Sequence, residues 1–254
     1  MITIKTRAEI EKMRRSGRIV AEILNIIEAA IRPGITTASL NALAIEECKK
    51  RQAIPVFEHY PHPRGGKPFS GAICVSVNEE VVHGIPGERV LKDGDIISVD
   101  FGVIVDGYAG DAAITIPVGE VDPRLSKLIE ITERSLLKGI EQAQVGTRLG
   151  CVSNAIQNFA ETNGFSVVRD YVGHGIGTAM HEDPPIPNYG KKSSGPVLKA
   201  GMTLAIEPMI NQGNYQVYTK KDAWTVVTKD GLPSAHFEHS IVVWDQGPEI
   251  LTKR

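Results

Sequence analysis

The residues best placed to do chemistry begin with two aspartates beside a turn. Residues 96–105 and 108–118 are apolar, β-branched runs joined by Asp106-Gly107, a dipeptide suited to a two-residue hairpin because both turn positions need positive φ. With those two residues as the turn, Gly102 faces Asp111 across the ladder. Asp100 then lies two residues back on the same face, diagonal to Asp111. Diagonal partners are roughly 7–8 Å apart, close enough for two carboxylates to converge, and Gly102 leaves the space between them open. Two acids on one face of an apolar hairpin repel unless a cation separates them. The plainer alternative is two solvated acids on an open sheet face.

Three more groups have the same character. Glu207 ends the apolar run 202–207 just before Pro208, and Glu238 interrupts the apolar run 236–244. A buried carboxylate is costly unless it is paired or metal-bound, so each alone reads as a core ion pair or a ligand. His174 lies in GHGIG, residues 173–177. Those glycines lack the Lys-Ser/Thr and the strand–loop–helix setting of a phosphate loop. Together, two Asp, two Glu and one His form an oxygen-rich donor set with one imidazole, suited to two divalent ions of the manganese, iron, cobalt or zinc type. Such ions lower the pKa of bound water from about 15.7 to near 7 and so supply a nucleophile at neutral pH. On ligand chemistry alone, a two-metal phosphatase is a further possibility.

The elements that must position these groups come in two similar sets. Thr6 and Glu9 form a capping-box pair ahead of apolar residues at helical spacing (Ile10, Met13, Ile19, Ile23, Ile27), and Arg32-Pro33-Gly34 ends that helix. A second helix is expected over 39–51. Asp122-Pro123 starts a third, which Gly146 is expected to close, and a fourth runs over 149–162 to Asn163-Gly164. Each helix pair is followed by β-rich sequence: 73–77, 96–105 and 108–118 in the first half, then 167–171, 202–207, 224–227 and 236–244 in the second. The Pro/Gly-rich stretch 61–68 reads as a surface loop. No linker divides the 254 residues, which are expected to form a single catalytic domain, 1–254.

Composition narrows the setting. Net charge is −2, so no domain-wide basic surface calls for nucleic acid. The basic cluster Arg7, Lys12, Arg14, Arg15 and Arg18 reads as a solvated helix face. Three separated cysteines, Cys48, Cys74 and Cys151, fit a reducing compartment. The N-terminus has no apolar signal region, and no apolar run is long enough to span a membrane. A cytoplasmic address is expected.

At this point several ordered blocks coincide with one family. CVSVNEEVVHGIP (74–86), LKDGD (91–95), VDF (99–101), DGYAGD (106–111), GHGIG (173–177), His181-Glu182, GMTLAIEP (201–208) and FEH (237–239) resemble those of bacterial type I methionine aminopeptidases, and the resemblance covers essentially the full length. It implies the α+β pita-bread fold, two pseudo-symmetric halves around a curved antiparallel sheet with helices on the outer face. It implies that Asp100, Asp111, His174, Glu207 and Glu238 ligate two divalent ions (Co, Mn, Fe or Zn), with Asp111 and Glu238 shared. Glu207 would move the proton of the attacking water, while His83 and His181 would hydrogen-bond the scissile amide and the intermediate. Tyr60, Phe69, Cys74 and Trp224 would line the methionine pocket together with His83 and His181, and Phe57 would adjoin it. The implied reaction is removal of the initiator methionine from nascent chains whose second residue is small, by a monomer working transiently near the ribosome.

The chain departs from the family pattern in places. Residues 61–68 look like an insertion between two pocket positions, Phe69 replaces a frequent Tyr, and Met180 stands before His181 where Phe is common. A proline-specific peptidase of the same fold typically carries a large extra N-terminal domain, whereas here the residues before Asp100 look like the family's own helices. A catalytically silent binding module of this fold would have lost ligands that this chain keeps.

Overall fold

The computed structural model describes residues 1–63 and 65–254; of the 61–68 stretch, Arg64 lies outside the described residues. Two helix pairs appear, each followed by strands. The first is α1 (Arg7–Ala30) and α2 (Thr37–Arg51), the second α3 (Pro123–Glu141) and α4 (Leu149–Thr162). The start of α1 is fixed by the expected capping box: the Thr6 hydroxyl accepts from the Glu9 backbone N–H, and the Glu9 carboxylate accepts from the Thr6 N–H at 2.7 Å. Its stripe Ile10, Met13, Val20, Ile23, Leu24 and Ile27 is wholly buried. Pro123 opens α3, and the Asp122 carboxylate accepts from the Arg124 N–H at 2.7 Å. Helix α3 stops at Glu141, earlier than the expected close at Gly146. The Ala143 N–H bonds Ile140 and the Thr147 N–H bonds Gln144, so tight-turn bonds replace the helical ladder, and Gly146 serves the turn into α4 with φ +87°.

Among the described residues the main sheet is antiparallel and nine-stranded. Its path runs Ile54–Pro55, Ile96–Val105, Tyr108–Pro117, Glu238–Trp244, Thr203–Ile206, Gly173–Gly175, Glu182–Ile186; Cys74–Val77 also pairs with Ile96–Val105, and Gly247–Ile250 with Glu238–Trp244. Asp106 (φ +52°) and Gly107 (φ +78°) are the hairpin turn, which sets Gly102 opposite Asp111 as the turn chemistry required. The two halves meet where Glu238 pairs with Ala113 and His239 with Ala112.

Period-2 alternation gives this sheet two different faces. Val99, Phe101, Val103, Ala112, Ile114, Ile116, Leu204, Ile206, Ile241 and Val243 pack in one core with residues of all four helices. The residues between them point the other way, into the concavity. Curved sheet, outer helices and two α+β halves give the pita-bread architecture.

One expected strand is broken and another is trimmed. The run 236–244 divides into Ser234–His236 and Glu238–Trp244, and 202–207 is Thr203–Ile206, with a separate strand at Met209–Asn211. The interruptions face each other. Pro208 has no N–H to give the ladder, its carbonyl takes the Phe237 N–H at 3.3 Å, and the paired chains pass from the large sheet into a three-stranded one. The expected strand 167–171 shrinks to Ser166–Val167, since the charged Arg169-Asp170 that follows is exposed, and 224–227 becomes Val226–Thr228.

Candidate active site

The ladder registers decide which side chains meet. Asp100, Ala113 and Glu238 form one row across three adjacent strands. His174, Ala205 and Ser240 form a second row, two residues further along Glu238–Trp244. Asp111 is two residues from Ala113, and Glu207 two from Ala205, so all five candidate ligands share the concave face. Small residues (Gly102, Ala113, Ala205, Ser240) occupy the positions between them. A Cβ on Gly102 would lie 3.0 Å from Asp111 Oδ1. The Ser240 hydroxyl clamps the Asp111 backbone, accepting its N–H at 3.0 Å and donating to its carbonyl at 2.7 Å.

The arrangement fits divalent cations. Ligand atoms of Asp111, His174 and Glu238 lie within 4.8 Å of one another. Asp100 Oδ1, Asp111 Oδ1 and Glu238 Oε1 are buried without a hydrogen-bond partner among the described residues, an expense that a cation would remove. Burial, with the charge of Glu207 beside it, pushes the Asp111 carboxyl up to about 8, and burial raises Glu207 to about 8. Asp100 and Glu238 are held well above the carboxylate range, by burial first and then by the charge of Asp111. Without cations the cluster keeps protons in their place. His174 Nδ1 is 2.9 Å from the Gly175 carbonyl, which can only accept, so the proton sits on Nδ1. Nε2 is then free for a ligand bond, the pattern of a metal-binding imidazole. Burial and nearby His181 lower the His174 pKa to about 3, which keeps the ring neutral.

Beside this cluster is a cavity of about 250 Å³. Phe57, Tyr60, Phe69, Cys74, Met180 and Trp224 line its apolar part, while His83 and His181 face it near the carboxylates. Cys74 pairs directly with Asp100, and burial raises its thiol pKa, so it stays a neutral, soft contact. His83 has φ +59°, a backbone state rare for a non-glycine residue and frequent at functional positions. Burial lowers its pKa to about 4, with His236 and His181 adding to the shift.

A family model, metallopeptidase family M24, matches residues 11–245. The methionine aminopeptidase of Clostridium acetobutylicum is 54% identical over 253 residues, 99% of each chain. Methionine aminopeptidase 1 of Bacillus subtilis is 53% identical over 253 residues and the full length of both. This chain belongs to the methionine aminopeptidases of metallopeptidase family M24. The crystal structure of methionine aminopeptidase from Thermotoga maritima superposes with a TM-score of 0.96 at 50% identity, over 100% of both chains. Membership makes the chain a hydrolase that uses divalent metal and acts on peptides.

Every residue singled out by the methionine aminopeptidase resemblance borders this cleft, including Phe57. One was missed. His236 is buried, its Nε2 has no hydrogen-bond partner among the described residues, and it lies 3.5 Å from Glu207 Oε2. Its position two residues before Glu238 was the available signal, since period-2 alternation puts both on one side.

Proposed function

We propose that this chain removes the N-terminal methionine from peptides and nascent proteins whose second residue is small, by hydrolysing the first peptide bond at a site holding two divalent ions. The observation that carries this reading is one sheet face on which four carboxylates and a neutral imidazole converge beside a methionine-sized apolar cavity. Asp111 and Glu238 would be shared ligands, with Asp100 on one side and His174 and Glu207 on the other. When bound, the ions offset the carboxylate charge, lower the pKa of water and polarise the scissile carbonyl.

The chain's own groups do the rest. Glu207 takes the proton of the attacking water and returns it to the leaving amine. His83 and His181 are neutral through burial and offer N–H bonds to the scissile amide and the developing oxyanion without competing for the carboxylates. Cys74 and the aromatic rings Tyr60, Phe69 and Trp224 take the methionine side chain through sulfur–aromatic contacts. The chain acts as one catalytic domain and a monomer, in the cytoplasm and transiently near ribosomes. Free cysteines suit that compartment, and among the described residues no helix is long and apolar enough to cross a membrane.

The test is methionine release from Met-Ala-Ser and Met-Arg-Ser, with metal-free protein titrated by manganese, iron, cobalt and zinc. Metal-dependent cleavage of Met-Ala-Ser alone is expected, and Glu207→Gln should lower kcat by about two orders of magnitude or more with the fold intact. No release with any metal, or equal cleavage of both peptides, refutes the reading.

A further inference from the structure

Tyr60 does something that pocket lining does not require. Its hydroxyl lies 2.6 Å from Nδ1 of His181, with the two rings edge to face at 5.5 Å. This is the hydroxyl's one hydrogen bond among the described residues. His181 also neighbours His174, whose ring centroid is 4.3 Å away, so its ring adjoins both the tyrosine and a candidate ligand. A phenol carries one proton and is a weak acceptor, whereas a neutral imidazole offers one bare nitrogen that accepts well. The favoured direction is therefore O–H of Tyr60 to Nδ1 of His181. That choice leaves the ring proton on Nε2, because a neutral imidazole holds only one.

The backbone keeps Tyr60 in place. Its N–H bonds the Phe57 carbonyl at 2.9 Å, its own carbonyl takes the Phe69 N–H at 2.9 Å, and the His59 N–H bonds the Phe69 carbonyl at 3.0 Å. Tyr60 and Phe69 thus form the neck of the 61–68 excursion. Lys67 is held at the cleft, where its carbonyl accepts the Trp224 indole N–H at 3.1 Å and the Trp224 ring stands edge to face with Phe69 at 5.3 Å. These bonds hold Tyr60 beside His181.

We propose that Tyr60 is a positioning residue: it fixes His181 in the tautomer with its proton on Nε2, so that His181 meets the reacting peptide as a hydrogen-bond donor. This rests on the assignment of His181 as a substrate-contacting group. The proposal makes Tyr60 more than a wall of the methionine pocket, and it ties the 61–68 segment to the reacting bond through one hydroxyl.

The experiment is nitrogen NMR of histidine-labelled, zinc-loaded protein, with the His181 signals assigned by their loss in His181→Gln. The wild-type ring is expected to show a protonated Nε2 and a bare, hydrogen-bonded Nδ1. In Tyr60→Phe, which keeps the pocket ring, a substantial fraction should move to the Nδ1–H form. On Met-Ala-Ser, kcat should fall about tenfold or more, with KM and the binding of free methionine within about threefold of wild type. A wild-type ring protonated on Nδ1 overturns the proposal, as does an unchanged kcat in Tyr60→Phe. If His181→Gln leaves kcat unchanged, the assignment of His181 falls and the proposal with it. That result is separable from a failure of Tyr60 alone, because the ring spectrum reports the tautomer independently of turnover.

Discussion

Stripping the divalent metal should make this protein lose stability as pH rises from 6.5 to 7.5. The alkaline loss comes from the carboxylate cluster. Asp111 sits at about 8 against an ordinary 3.8, and Glu207 at about 8 against 4.5. Both folded-state values are raised, so between the two pKa values the folded chain holds protons that the unfolded chain has released. Stability then falls as pH rises, by up to about 1.4 kcal/mol per pH unit and group. From pH 6.5 to 7.5 these two groups together cost roughly 2 kcal/mol, or about 4–8 °C in Tm for a chain of this size. The buried histidines act in the opposite sense and offset part of the carboxylate effect below about 6.5. His83 and His239 at about 4 and His174 at about 3 are depressed by burial, so below about 6.5 the unfolded chain takes up protons that the folded chain refuses. Bound cations replace the protons of the carboxylate cluster and remove the alkaline loss. The gap between loaded and chelated protein should therefore widen from pH 6.5 to 7.5. Calorimetric melts with and without chelator measure it. A chelated protein whose Tm is flat or rising over that interval would show that the carboxylates are not buried together as described.

Gly102→Ala should weaken metal binding more than it weakens the fold. The new Cβ would lie 3.0 Å from Asp111 Oδ1, 2.8 Å from Val56 and 3.1 Å from Met180, an overpacking of about 1–3 kcal/mol, and titration calorimetry with manganese should show at least a tenfold loss of affinity. His236→Leu should reduce kcat on Met-Ala-Ser about tenfold or more by removing the imidazole that stands 3.5 Å from Glu207 Oε2, while His236→Gln should retain most of it; equal loss in both variants would point to packing instead. Thr6→Ala removes the α1 cap and should cost about 1 kcal/mol in chemical denaturation, with metal-dependent turnover unchanged.

Turn chemistry made part of the site readable from sequence. Asp106-Gly107 fixes a two-residue turn, and that alone sets Gly102 opposite Asp111 and brings Asp100 to the same face. The helix starts at Thr6 and Asp122 were equally local. The other ligands were not, because His174 meets Glu238 only through pairings of Gly173–Gly175 with Thr203–Ile206 and of that strand with Glu238–Trp244. No local rule gives a register between segments so far apart, and the family resemblance supplied what spacing could not. The break at Phe237 escaped for the same reason: it faces Pro208, which interrupts the neighbouring segment. The bridge from Lys67 to Trp224 depends on where two loops end up, which composition does not encode.

The seam between the halves has a bearing on how the molecule matures. Asp100 and Asp111 belong to a hairpin whose ends meet across a two-residue turn, so this pair can assemble early and cheaply in loop entropy. Glu238 reaches Ala113 only after more than a hundred intervening residues have been gathered in, a late event by the same measure. Until then the hairpin pair Asp100 and Asp111 lacks the partner that the seam brings to it. On this ordering the proposed metal site is completed only when the seam closes, and topology sets metal loading after folding of the second half.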